Sequence, residues 1–359
     1  MIECRNLGKS YGTVQAVCDF SLSLDEHEFL SILGPSGCGK STLLRLIAGL
    51  EVPSEGQVFL DGKEISGSKI ILPPEQREFS MIFQDFALFP HLSVKENVRY
   101  GAVGSKKEKK QRVHELLELV SLPHLAAKMP HLISGGEQQR IALARALAPR
   151  PRLILMDEPF SNLDYQLRQQ LRREIREILK HEGVATVLVT HDQAEAITFS
   201  DRMLLMQKGK LVQEGTPSEI YKNPQTIWAS SFVGEANHLA VEWQNDSLQT
   251  PLGELNVSSE IGMNARIMMV RPEDLQIELV PADQANGIVK SVCFAGSVQT
   301  LGVALKSGAS VQVSGPPHLL WNQNDSVKLT AERYLYFNSS GNRLNRIPEE
   351  KALITEKIS

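Results

Sequence analysis

The chain has 359 residues, and its 38 Lys and Arg against 42 Asp and Glu give a formal charge of -4. That balance leaves no basic footprint for a polyanion, so a nucleic-acid partner is not expected. The length predicts two or three domains. No run of apolar residues is long enough to span a bilayer, and the scattered Cys4, Cys18, Cys38 and Cys293 read as reduced thiols.

In chain order, Ile2 to Leu33 alternates apolar and polar residues, with turns at Tyr11-Gly12 and Asp25-Glu26, and predicts strands; no apolar leader core precedes it, so export is not expected. Asp61-Gly62, between Val58-Phe59-Leu60 and Ile65, predicts a hairpin turn. From Leu92 to Leu147 the pattern is helical. Ser93 with Glu96 predicts a capping box, and Lys106 to Lys110 a solvated loop opening an amphipathic helix through Val120.

Leu153–Met156 and Thr186–Val189 are continuous apolar runs of the kind buried in parallel sheets. Leu167, Leu171, Ile175 and Ile178 between them give a helix one apolar face. Thr216-Pro217-Ser218-Glu219 predicts one more helix start. Beyond about Gly234 short strands with glycine turns replace helical periodicity, which predicts a second, β-rich domain.

The chemistry concentrates in Gly34-Pro35-Ser36-Gly37-Cys38-Gly39-Lys40-Ser41, which fits G-x-x-x-x-G-K-[ST] between a strand-like run, Phe29–Leu33, and a helix-like run from Thr42 to Leu50. Successive N–H groups at a helix N-terminus cradle a polyanion. Lys40 is expected at the β- and γ-phosphates, and the Ser41 hydroxyl at a Mg²⁺ position. Asp157-Glu158 closes the apolar strand ending at Met156. A carboxylate there can hold Mg²⁺, and Glu158 is placed to deprotonate a water. Ser134-Gly135-Gly136-Glu137 reads both as a helix capping box and as a cluster of N–H donors suited to a phosphate.

With these residues in place, the first domain resembles the ATP-binding cassette ATPases. Tyr11 matches the aromatic that stacks on adenine. Gln84, in Phe83-Gln84-Asp85, matches the glutamine linking the metal site to a helical subdomain. Leu132 to Arg140 resembles the signature sequence, Ser161-Asn162-Leu163-Asp164 the loop after the acidic pair, and His191 the switch histidine at the γ-phosphate. The resemblance implies an α/β, RecA-like P-loop domain over residues 1–235, with an antiparallel β subdomain and a helical insert at about 90–148. An oligonucleotide-fold-like regulatory domain of the TOBE type is expected over 236–359, on Phe232 to Asn237 and Val270-Arg271-Pro272-Glu273-Asp274. It implies ATP and Mg²⁺, with Glu158 and His191 catalytic, Tyr11, residues 34–42, Gln84, Ser134–Glu137, Asp157 and Asp164 on the nucleotide, and Ser41, Gln84 and Asp157 on the metal.

One phosphate loop and one signature are half of each shared site, so a homodimer is implied. Ile133 and Glu137 replace the family's commoner leucine and glutamine. Glu137 either places a negative charge near the phosphates, lowering affinity at the opposite site, or folds back on its own cap. Further implied partners are membrane permease subunits and, indirectly, a solute-binding protein, with the chain peripheral on the cytoplasmic face of the inner membrane. Phe86, Leu88, Phe89 and Leu92 are either a permease-docking knob or subdomain core. Leu72 to Arg77 and Met81 to His91 are most similar to ATPases of ferric-iron importers, with polyamine, sulfate and sugar systems close behind. A soluble cassette ATPase of nucleic-acid metabolism or translation, and a module that binds ATP without hydrolysing it, are the alternatives from other classes.

Overall fold

The computed structural model describes residues 1–67 and 70–344; the end of the expected second domain, 345–359, lies outside the described residues. The chain divides into two compact units, Met1–Ser218 and a second from Glu219 onward.

In the first unit, strands β1 (Ile2–Tyr11), β2 (Val14–Leu24), β4 (Glu55–Leu60) and β5 (Lys63–Ser66) form an antiparallel sheet in the order β2-β1-β4-β5. Asp61 and Gly62 both have positive φ, 49° and 76°, the pair of left-handed residues that a tight hairpin matching strand twist requires. The central sheet is built from β3 (Phe29–Leu33), β6 (Phe79–Ile82), β7 (Leu153–Asp157), β8 (Ala185–Thr190), β9 (Arg202–Gln207) and β10 (Lys210–Gly215). Its order is β10-β9-β3-β8-β7-β6, parallel except for β10.

Every residue of β3, β7 and β8 is buried, because both faces are covered. Leu153 and Leu155 face a core shared with β1, β2 and helix α1 (Lys40–Ala48), whereas Ile154 and Met156 face a helical core. That core is made by α2 (Val94–Gly101), α3 (Lys106–Leu119), α4 (Gly135–Leu147) and α5 (Tyr165–Glu182), and Phe199 of α6 (Gln193–Phe199) packs into it.

One expectation is corrected here, and one open alternative is narrowed. Lys106 to Lys110 is not a loop: Ser105 caps α3, its hydroxyl accepting from Glu108 N while the Glu108 carboxylate accepts from Ser105 N at 2.7 Å. A capping box starts a helix whatever the charge of the turn it encloses. Phe86 is 5 % exposed and belongs to the helical core. Leu88 packs against the same core, and the Phe89 ring lies 4.6 Å from that of Tyr100 and under the Arg145 guanidinium, so of the two readings subdomain core describes Phe86 and Leu88.

Arg77 holds the far end of α1. It is wholly buried, and its guanidinium donates to the carbonyls of Leu46, Ile47, Leu72 and Ile65 at 2.8 to 3.3 Å. Two of these, Leu46 and Ile47, are carbonyls of the last helical turn, where the helix itself runs out of donors; Leu46 O also accepts from the Gly49 N–H at 3.2 Å. Gly49, at φ 78°, makes the turn, and a Cβ there would lie 2.3 Å from Arg77 Nε.

The second unit is β-rich. Its largest sheet runs Leu275–Leu279, Ser326–Ala331, Gly287–Phe294, Gln299–Leu305, Ser310–Gly315, all antiparallel. Val289, Leu301, Val303, Val313, Val327 and Leu329 form its core. Arg271 is the internal clamp: it donates to the carbonyls of Ser230, Gly234, Glu235 and Tyr221 at 2.7 to 3.0 Å, and its guanidinium carbon lies 4.2 Å above the Tyr221 ring. The fold is thus α/β with an appended β-rich unit.

Candidate functional site

The phosphate loop leaves the C-terminal end of β3 and opens α1, with Thr42 in the first helical turn. Three glycines make its path possible. A Cβ on Gly34 would lie 2.3 Å from the Met206 carbonyl oxygen, and one on Gly39, at φ 106°, 2.0 Å from that of Ala16; Gly37 sits at φ 76°. Gly209 N donates to Cys38 O at 2.9 Å, which pins the loop to the end of β9. Pro35 and Ser36 complete the turn. Cys38 is buried beneath it, and burial raises its thiol pKa.

Lys40 is 5 % exposed, and its Nζ donates to the carbonyls of Gly34 at 2.7 Å and Pro35 at 3.0 Å. No carboxylate pairs with it among the described residues. A buried ammonium held only by carbonyl dipoles keeps its charge available to an anion.

The next strand over, β7, brings Asp157 to the same edge, where Ser41 Oγ donates to Asp157 Oδ1 at 2.8 Å. Burial raises the Asp157 pKa; the Ser41 hydrogen bond opposes this and the Glu158 charge adds to it. A hydroxyl and a carboxylate side by side are two hard oxygen donors, the set Mg²⁺ takes alongside substrate phosphates and water.

Glu158 follows in a left-handed backbone conformation, φ 47°, fixed by its N–H donating to Val189 O at 2.9 Å. The neighbouring strand β8 ends at Thr190, and Nδ1 of the next residue, His191, lies 3.0 Å from Glu158 Oε2. The carboxylate is thereby oriented from one side and free on the other to accept a proton.

The remaining expected residues lie around this centre. Tyr11 ends β1, 45 % exposed, at the tip of the hairpin with β2, the strand whose Ala16 carbonyl meets Gly39. Gln84 follows β6, and its carbonyl oxygen accepts from Asn162 Nδ2 at 2.9 Å, which ties it to the loop after Glu158. Asp164 caps α5 by accepting from Leu167 N.

Ser134 to Glu137 stands apart: among the described residues no hydrogen bond or ion pair joins it to Lys40, Asp157, Glu158 or His191. Glu137 folds back, accepting from Ser134 N at 2.7 Å and Ser134 Oγ at 2.8 Å, and these bonds lower its pKa. Gly135 and Gly136 keep first-turn N–H groups with no intrahelical acceptor. Motif reading assigned no role to Arg168, Thr190, Asp192 and Glu195, which are hydrogen-bonded or ion-paired to one another beside His191; Thr190 and Asp192 flank that histidine in sequence, whereas Arg168 carries no local signal.

A phosphate loop opening a helix at the carboxyl edge of a parallel sheet, beside an acidic pair on a neighbouring strand, defines a P-loop ATPase. Comparison with known proteins narrows the class. Residues 17–161 match the model of the ABC transporter family, and residues 268–334 that of the TOBE domain. The chain is 43 % identical over 308 residues to the Fe(3+) ions import ATP-binding protein FbpC of Pseudomonas fluorescens, covering 85 % of this chain and 87 % of that one. It is 41 % identical over 328 residues to the putrescine transport ATP-binding protein PotG of Escherichia coli K12, covering 87 % and 86 %. Among solved structures, the dimeric post-hydrolysis state of the ATP-binding cassette MJ0796 bound to ADP and Pi superposes with TM-score 0.53 at 33 % identity, over 60 % of this chain and 99 % of that one. CbiO1 of Clostridium perfringens superposes with TM-score 0.56 at 27 % identity, over 62 % and 90 %.

The chain belongs to the ABC transporter family, among the import-type ATP-binding proteins that carry a TOBE domain. It binds ATP, and its hydrolysis of ATP is coupled to transport.

Proposed function

We propose that this chain is the ATPase subunit of a ferric-iron importer, working as a homodimer on the cytoplasmic face of the inner membrane. Residues to 235 form the ATP-binding part and those from 236 a regulatory one. Its partners are permease subunits and, through them, a solute-binding protein. Among the described residues no helix is long and apolar enough to cross a membrane, so the permease provides the path.

Lys40 and the loop N–H groups hold the β- and γ-phosphates, while Tyr11 offers its ring to adenine. Ser41 and Asp157, with Gln84 nearby, hold Mg²⁺, which supplies charge neutralisation on the phosphates. Glu158 takes a proton from water as its oxygen bonds to the γ-phosphorus. The bond from that phosphorus to the bridging oxygen then breaks, leaving ADP and phosphate. His191 orients Glu158 and reaches the γ-phosphate. Ser134, Gly135 and Gly136 of a second copy grip that phosphate from the opposite side, with Asp164 setting the loop between them.

One observation carries this reading. The Glu158–His191 pair, 3.0 Å apart, is assembled at one edge, whereas among the described residues no hydrogen bond or ion pair joins the Ser134 helix start to it. The test is the size of Glu158→Gln in solution with ATP: a dimer is expected, and a monomer at high concentration would sink the two-copy site.

Ferric iron rests on the run Leu72 to His91 and on the relative at 43 % identity. The relative named for putrescine, at 41 %, sustains polyamine as a second reading. Uptake of labelled Fe³⁺ and labelled putrescine by cells lacking this chain, with and without it restored, separates them.

A further inference from the structure

We infer that Arg168 is a positioning residue for hydrolysis, tying the loop that carries Glu158 to the loop that carries His191. The inference deepens the reading above and rests on its assignment of that pair.

The side chain leaves the first turns of α5 and doubles back. Its Nη2 donates to the carbonyl oxygens of Leu163 at 3.0 Å and Ser161 at 3.3 Å, in the loop after β7. Its Nη1 donates to Asp192 Oδ2 at 3.3 Å, one residue beyond His191. One planar fork therefore grips two loops that follow neighbouring strands, a geometry a point-charge ammonium cannot copy.

Each grip leads directly to a reacting side chain. On one side, Ser161 donates to the Glu158 carbonyl from both its N–H, at 3.2 Å, and its Oγ, at 2.9 Å. Holding Ser161 thus holds the Glu158 backbone in its left-handed turn. On the other side, Asp192 N donates to Thr190 Oγ1 at 3.0 Å, and that hydroxyl donates to the buried Glu195 carboxylate at 2.6 Å. Both neighbours of His191 are fixed, and Asp192 is also the cap of α6, accepting from Glu195 N. Arg168 Nε is buried without a hydrogen-bond partner, 3.9 Å from Glu195 Oε1. The guanidinium is thus held between the two loops with its Nε buried, and the role needs no contact with substrate.

The experiment uses the purified full-length chain and measures phosphate release against Mg-ATP concentration, nucleotide affinity with a fluorescent ATP analogue, and thermal midpoint. Arg168→Gln is expected to lower kcat by at least about tenfold, because small misplacements of reacting groups are costly, with nucleotide affinity within about threefold of the parent. Arg168→Lys is expected to recover less than about half of the loss, since it keeps the charge without the fork. Asp192→Asn can keep the helix cap through its one oxygen and then turns an amide NH2, which cannot accept from Arg168, toward the guanidinium, so a loss of about threefold or more in kcat is expected, and this variant carries the test if Arg168→Gln does not fold. In a His191→Ala background Arg168→Gln should add little further loss, because residues acting as a unit are not additive.

The inference is overturned if kcat of Arg168→Gln and Asp192→Asn stays within about twofold of the parent, or if affinity falls in step with kcat. Glu158→Gln and His191→Ala run beside them separate the two readings. Full activity in those two would defeat the catalytic assignment itself. Their inactivity beside an unchanged Arg168→Gln would defeat only the role of Arg168.

Discussion

The carboxyl edge of the central sheet and the start of α4 are both phosphate-suited surfaces of the first unit, and they are organised in opposite ways. At the sheet edge, contacts cross between strands and loops far apart in sequence: Ser41 to Asp157, Glu158 to His191, Asn162 to Gln84. At the start of α4, Ser134 and Glu137 satisfy each other within four residues. The first is held in place by contacts within the fold, and groups fixed in this way stabilise a transition state without reorganisation cost. The second is a rigid donor surface whose chain offers it no phosphate. Glu137 also accepts the hydrogen bond of the Ser134 hydroxyl, so a phosphate arriving there meets backbone N–H groups first.

Substitutions on either side break or sharpen this contrast. The largest effect is expected at Glu158→Gln, where losing the proton acceptor should lower hydrolysis by about 10²- to 10⁴-fold with ATP binding retained, measured by phosphate release and nucleotide titration. Lys40→Ala removes the buried ammonium and should weaken ATP binding by about 10-fold to 100-fold, read by the same titration; unchanged affinity would break the assignment of this edge.

At the other surface the effect is on stability. Ser134→Ala removes the cap and should cost about 1 kcal/mol, seen as a thermal midpoint about 2–4 °C lower. A much larger loss would mean that the start of α4 is tied to more than itself.

The smallest effect tests the burial of Asp157. Its folded-state pKa is raised by burial, so the fold disfavours the carboxylate, and stability declines as pH rises through that raised value. Asp157→Asn keeps an acceptor for Ser41 without the charge. At neutral pH its nucleotide-free midpoint should lie about 1–3 °C above that of the parent, with the gap closing as pH falls into the acid range. A lower midpoint at neutral pH would show that the Ser41 hydrogen bond outweighs desolvation.

Much of this was legible in the chain of residues, because each part has a local signal. Gly34 to Ser41 needs its glycines where backbone meets backbone, and three serines with glutamate three residues later, Ser93, Ser105 and Ser134, each begin a helix. The same rule exposes a misreading. Charge led Lys106 to Lys110 to be read as a loop, while Ser105 and Glu108 had already specified the helix start.

Phe86 was ambiguous for another reason: an apolar residue beside a turn has no periodicity to show which way it faces, and only packing decides that it enters the helical core. Arg168 had no signal at all. Ser161 and Leu163 are near it in sequence, but Asp192 becomes its neighbour only when β7 and β8 pair, so nothing in the spacing of one arginine on the polar face of α5 marks it out.

Gly49 and Arg77 are 28 positions apart, yet the space beyond Gly49 Cα is filled by the guanidinium that terminates α1. Arg77 therefore adds a second constraint to a position whose backbone already calls for glycine. A descendant that replaces Arg77 with a smaller side chain loses the donors on Leu46 and Ile47 and still needs glycine at 49 for the φ of 78°, whereas one that keeps Arg77 also has no space there for a Cβ. Homologous chains that keep Arg77 should therefore keep Gly49, while the reverse need not hold.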